Sequence, residues 1–329
     1  MENRGILLRV SLLGLIFGFF ALYSGGILAQ DKKKDDSAEA KGAGAKALDG
    51  KASHSKNPDG KKTETKVPDE RMTELVGAFK TVLSAEEPVV AETKNLIVLT
   101  PKSQGKRVQE WAKLAEKHRE LAMKTLELDE EEAQETRIGI FIWANVDQLK
   151  TYIRRVEKRS PEKDELAVVN PDDWVLRAAA TVGSPKEGTL GEHRAGEMVA
   201  AMMIGRKAKR TNKVPEWLTL GFGRATTWKL ATPSLRPLVD EKRRVAAYSK
   251  KWNGWQVICG EASGPDSPAL QASAVYYLAF GPSASRFTKF VEGFQLDDNN
   301  NTRSLEQVIE YSGIEREVFS TGWQKWAVR

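Results

Sequence analysis

Three histidines, one cysteine and a few spaced carboxylates are what this chain offers for acid–base, nucleophilic or metal chemistry. His193 and Glu197 stand four residues apart, so on a helix they share one face. Glu192 and His193 are adjacent and diverge. His118 recurs with Val108, Trp111, Ala115 and Ala122 on an apolar stripe and reads as a hydrogen-bonded core histidine. The alternative for these residues is a site built from His193, Glu197 and His118. His54 sits in a stretch with no fixed neighbours. Cys259 lacks an evident histidine partner and reads as a small buried apolar residue. No G-x-S-x-G elbow occurs. The acidic run from Asp297 fails the calcium-loop pattern, because Thr302 replaces the turn glycine and Val308 the bidentate glutamate. Asn253-Gly254 predicts a tight turn that brings Trp252 and Trp255 together. Those indoles could stack on a sugar or anchor a peptide, or they could be core tryptophans flanking a hairpin.

Two stretches carry a family pattern. The first runs from Gly191 to Met203 and contains His193, Gly196, Glu197 and Ala200. The second begins Pro215-Glu216-Trp217-Leu218 and continues through Leu220, Gly221 and Gly223. Together they resemble the active-site helix and the following helix of the gluzincins, the thermolysin-like zinc peptidases. They are most similar to the secreted bacterial peptidase MA-like group. That family carries H-E-x-x-H on the first helix and P-x-W-L-x-E-G-x-A on the second. Pro215, Trp217, Leu218 and Gly221 match. The resemblance puts the general base at Glu197 and the three zinc ligands at Gly196, Ala200 and Leu220. None of those three side chains can bind zinc, which needs nitrogen, sulfur or carboxylate donors. The resemblance therefore implies a vestigial site with no cofactor. Two small residues one turn apart facing a leucine imply a dry helix contact in its place. Without a metal-bound water Glu197 has nothing to activate. If buried, it needs a base such as Arg194 or Arg206.

The elements that would position these residues can be read from periodicity. Helices are expected at 69–84 and from Val108 past Ala122, with strands at Asn95–Thr100 and Arg137–Trp143. Asn145 or Asp147 can cap a helix from Val146 to about Lys158. A third strand is expected within Trp174–Val182, and the chain from Leu190 reads as mainly helical. Leu270–Phe280 and Ser283–Phe294 form a pair broken at Gly281-Pro282. Ser304 to Gln307 has the form of a capping box, and Gly313 is the stop that follows. The expected fold is α+β, a small β-sheet with helices followed by a mainly helical half, and the resemblance implies that it is gluzincin/zincin-like.

The expected organisation has three parts: residues 1–29 a signal peptide or membrane anchor, 30–67 a disordered linker, and 68–329 the globular domain. Val10 to Ala29 carries no charge and follows Arg4 and Arg9, the shape of a secretory leader. The linker is Lys-, Asp-, Gly- and Ala-rich, too polar to offset ordering entropy. A single cysteine excludes an intrachain disulfide. The net charge of +6 is modest, and the basic residues of the linker are not interleaved with aromatics, so nucleic acid is not expected. Membrane contact is expected only through the N-terminal segment. The function these readings imply is an exported, non-catalytic pseudopeptidase that binds a peptide, protein or glycan of the cell envelope, with Trp252, Trp255 and His193 as binding candidates. The alternatives are an active metallopeptidase with ligands around Glu197 and His193, and a structural envelope interaction protein.

Overall fold

The computed structural model describes residues 70–133, 137–163, 165–170, 177–182, 190–209, 214–262, 264, 266–296 and 301–328, all within the unit Pro68–Arg329. The expected leader, the expected linker with His54, and residues Asp297 to Asn300 lie outside the described residues.

Alternation explains the sheet. In β2 (Leu96–Thr100) and β3 (Ile138–Trp143) every residue is buried, so both read as continuous apolar runs covered on two faces. Preceding them is β1 (Val89–Glu92), and following them are β4 (Ala167–Asn170) and β5 (Arg177–Thr181). The order across the sheet is β1-β2-β3-β5-β4. β2, β3 and β5 run parallel, and β1 and β4 close the two edges antiparallel. Ile97, Leu99, Phe141 and Trp143 point to one face, where α1 (Glu70–Val82) and α4 (Val146–Arg155) cover them with Leu75, Phe79, Leu149, Tyr152 and Ile153. Leu96, Val98, Ile138, Ile140 and Ile142 point to the other face.

That second face carries the larger core. Against it lie α2 (Val108–Leu126) and, after the short α3 (Glu130–Ala133), α5 (Leu190–Lys207). α6 (Glu216–Leu230) packs on α5. Then follow α7 (Arg236–Tyr248), α8 (Gly254–Ile258), α9 (Ser267–Phe280), α10 (Phe287–Glu292), α11 (Leu305–Ser312) and α12 (Arg316–Ala327). The fold is thus α+β, a small mixed five-stranded sheet with a mostly helical remainder. No helix among the described residues is long and apolar enough to cross a membrane.

Local chemistry sets several boundaries where the sequence places them. Asn145 caps α4 by accepting from the Gln148 amide. Ser304 and Gln307 form a reciprocal capping box on α11, and Gly313 ends that helix at φ 69°. Gly281-Pro282 separates α9 from α10, with a 3-10 turn at Ala284–Arg286 between them. The Asn253-Gly254 expectation is corrected. Asn253 accepts from the Gln256 amide, and the Gln256 side chain answers to the Asn253 amide, so the pair opens α8 and makes no hairpin. Cys259 is also corrected. Val257 and Ile258 take the inward positions of α8, and Cys259 emerges exposed at its end. Burial and the neighbouring Glu261 and Glu306 push its thiol pKa up.

Candidate functional site

α5 is the centre of the helical half. It carries apolar residues on every side and contacts α2, α6, β4 and β5, so it is buried all round. Gly196 lets α2 come close: a Cβ there would stand 2.3 Å from Cδ2 of His118. Gly223 does the same for α6, where a Cβ would lie 2.4 Å from the Glu197 carbonyl oxygen. These contacts bring one polar cluster together from α2, α5, α6 and α7.

One half of the cluster is a fully buried chain. The Thr226 hydroxyl donates to the Gly223 carbonyl at 2.6 Å, so its oxygen accepts from His118 Nδ1 at 2.7 Å. His118 Nε2 is then the acceptor, and His193 Nδ1 donates to it at 2.9 Å. His118, a donor at one nitrogen and an acceptor at the other, is therefore neutral. Burial, then the His193 charge, lowers the His118 pKa to about 3. Burial lowers His193 as well.

The other half is ionic. Arg224 Nη1 donates to Glu197 Oε1 at 2.8 Å, and Nη2 donates to Glu241 Oε2 at 2.6 Å. The Thr227 hydroxyl donates to the same Glu197 oxygen at 2.6 Å. Burial alone would push the Glu197 carboxyl up, but the Arg224 charge and the Thr227 hydrogen bond outweigh it and hold it below the usual carboxylate range. Burial lowers Arg224, whereas Glu197 and Glu241 raise it, and the raising effect wins.

Glu197, Arg224 and Glu241 lie in the wall of a cleft of about 900 Å³. Leu166 to Val169 form one side of it. Met198 on α5, Trp217 and Leu220 on α6, and Pro268 and Ala269 on α9 form the others. β4 is an edge strand. The Thr181 amide donates to the Leu166 carbonyl, so by antiparallel alternation Leu166 and Val168 direct their backbone groups toward β5. The amides and carbonyls of Ala167 and Val169 therefore face the open edge, where no strand among the described residues pairs with them. Arg194 fixes this corner by donating to the carbonyl and hydroxyl oxygens of Thr181.

The structure keeps His193 and Glu197 on the one helix that their spacing suggested, and His118 is the buried, hydrogen-bonded histidine expected of its apolar stripe. Among the described residues no three His, Cys, Asp or Glu side chains converge as metal ligands would. Glu197 takes Arg224 as its base, in place of Arg194 or Arg206. The expected contact of Gly196 and Ala200 with Leu220 is corrected. Gly196 faces His118, Ala200 is buried in the core, and Leu220 is 39 % exposed in the cleft wall. Trp252 and Trp255 are not an exposed pair. Trp255 is buried under the Arg316 guanidinium, 4.3 Å from its ring centroid, and Trp252 packs half-buried against the same core. Neither lines the cleft.

Sequence reasoning missed Arg224, Thr226, Thr227 and the edge strand. A signal existed for the first three: they are a polar run just after Gly223 on a helix that is otherwise largely apolar, where buried polar groups must find partners. Comparison with protein-family models, with curated proteins and with solved structures returns no match.

Proposed function

We propose that the protein is an exported pseudopeptidase of gluzincin type whose cleft holds an extended peptide along β4 without cutting it. The observation that carries this reading is the state of Glu197. Its carboxylate sits in the cleft wall, bound by Arg224 and Thr227. A carboxylate held ionised and weakly basic by a guanidinium is a poor proton acceptor for hydrolysis. Beside it the outward amides and carbonyls of Ala167 and Val169 offer the ladder that an added strand needs, and Met198, Trp217, Leu220 and Val169 offer apolar contacts for alternate side chains. The matching Pro215, Trp217, Leu218 and Gly221 are what supports the gluzincin reading.

The test is a titration of the full chain with fluorescent peptides of about ten residues, followed by mass spectrometry of the mixture. Saturable binding with the peptide intact is expected, weakened by Val169→Pro, which deletes an outward amide. Cleavage that a chelator stops would establish an active metallopeptidase instead. Failure of every peptide to bind would leave only a structural role for the fold.

A further inference from the structure

The charges of the cleft allow its ligand to be named more closely, an inference that rests on the peptide-binding reading. Four arginines and six carboxylates line it, so the cleft carries two negative charges in excess although the chain as a whole is +6. The surplus has definite carriers. Arg159 is taken by Glu165, Arg224 by Glu197 and Glu241, and Arg244 by Asp266. Arg194 donates to the neutral oxygens of Thr181, and its charge offsets the one by which Glu197 and Glu241 together exceed Arg224. Glu162 and Glu216 remain. Both are exposed, and the carboxylate of neither is in a hydrogen bond or ion pair among the described residues. Glu162 feels the charge of Arg159, but that guanidinium is already bound to Glu165.

We infer that the cleft selects a cationic extended peptide, one whose backbone pairs with the Ala167 and Val169 edge while its lysine or arginine side chains meet Glu162 and Glu216. The strand edge is indifferent to side-chain charge, so charge preference must come from the unpaired carboxylates. The positive charge of the rest of the chain does not cancel them. It is spread over the surface and screened beyond about 8 Å at physiological salt, whereas a bound peptide lies in contact with the cleft wall. An acidic peptide would bring its carboxylates against Glu162 and Glu216 and find each arginine of the cleft already bound to a protein oxygen.

The experiment compares three labelled peptides by fluorescence anisotropy with the full chain. They share alternating valines and differ in having Lys, Gln or Glu at the intervening positions. The Lys peptide should bind about tenfold more tightly than the Gln peptide, the sum expected of two exposed ion pairs, and the Glu peptide should bind weakest. The difference should shrink as salt is raised. Glu162→Gln with Glu216→Gln should bring the Lys and Gln peptides to the same affinity while the far-UV circular dichroism and melting temperature stay those of the natural chain, which separates charge recognition from damage to the fold. Equal binding of Lys and Gln peptides, or tightest binding of the Glu peptide, would overturn the cationic assignment while leaving a peptide cleft intact. No binding by any of the three would overturn the peptide reading itself.

Discussion

At the scale of residues, His118 and Glu197 lie at one helix junction and bear on stability in the same direction. His118 is neutral in the fold, with its pKa lowered to about 3 by burial and by His193. In the unfolded chain it protonates near its ordinary value of 6.5. Between those values the unfolded state binds the extra proton, so stability is full above pH 6.5 and falls as pH drops toward 3. Glu197, with its pKa depressed by Arg224, contributes stability above its unfolded value that is lost as pH falls through its folded one. Both predict acid destabilisation. Urea melts across this range should show His118→Gln losing up to one proton's worth of slope, about 1.4 kcal/mol per pH unit, relative to the natural chain. An unchanged slope would mean that His118 is not the neutral buried group described. Gly196→Ala sets two effects against each other. Alanine improves helix propensity by about 1 kcal/mol. Its methyl would stand 2.3 Å from a buried imidazole carbon that is held at both nitrogens, and overpacking of that kind costs about 1–3 kcal/mol. The clash should win, lowering stability by up to about 2 kcal/mol in the same melts.

At the scale of elements, the two sides of β4 should respond differently to proline. Val168 directs its amide into the β5 ladder and Val169 directs its amide to the open edge. Val168→Pro removes a ladder hydrogen bond and should cost about 3 kcal/mol or more, whereas Val169→Pro should cost about 1 kcal/mol or less. Equal losses, measured by thermal denaturation, would show the register to be wrong. This strand also shows what the sequence left hidden. β2 and β3 were legible because burial on both faces makes them unbroken apolar runs. β1 and β4 are four residues each, too short to show alternation, whereas β5, Arg177–Thr181, falls within the strand expected at Trp174–Val182. The helix junction was half legible. Spacing placed His193 and Glu197 on one face, but the partners come from α2, α6 and α7, and no local pattern reports which buried base reaches which buried acid. Asn253-Gly254 misled because asparagine serves equally as a turn residue and as a helix cap, and Gln256 three residues on decides for the cap.

At the scale of the molecule, the sheet and the helical half share one interior. Ile140 and Ala180 of the sheet belong to the same buried cluster as Phe319 and Trp323 of α12. An interior that continuous gives no boundary at which the helical half could melt alone. Trp323 tests this from the far end of the chain. It is fully buried, its indole N–H donates to the Ser273 hydroxyl at 3.1 Å, and it ties α12 to α9, which in turn backs the cleft through Pro268 and Ala269. Trp323→Ala should cost about 3–5 kcal/mol, the range for deleting a large buried aromatic. The loss should appear as one transition moved to lower temperature, with far-UV circular dichroism and the fluorine NMR signal of Trp143, on the opposite face of the sheet, shifting together in a chain labelled with 5-fluorotryptophan, which resolves Trp143 from the other buried tryptophans. A melt in which the helical signal falls first while Trp143 stays native would divide the chain into two cooperative units. The cleft would then lie on the border between them, with its β4 wall in one unit and its α9 wall in the other.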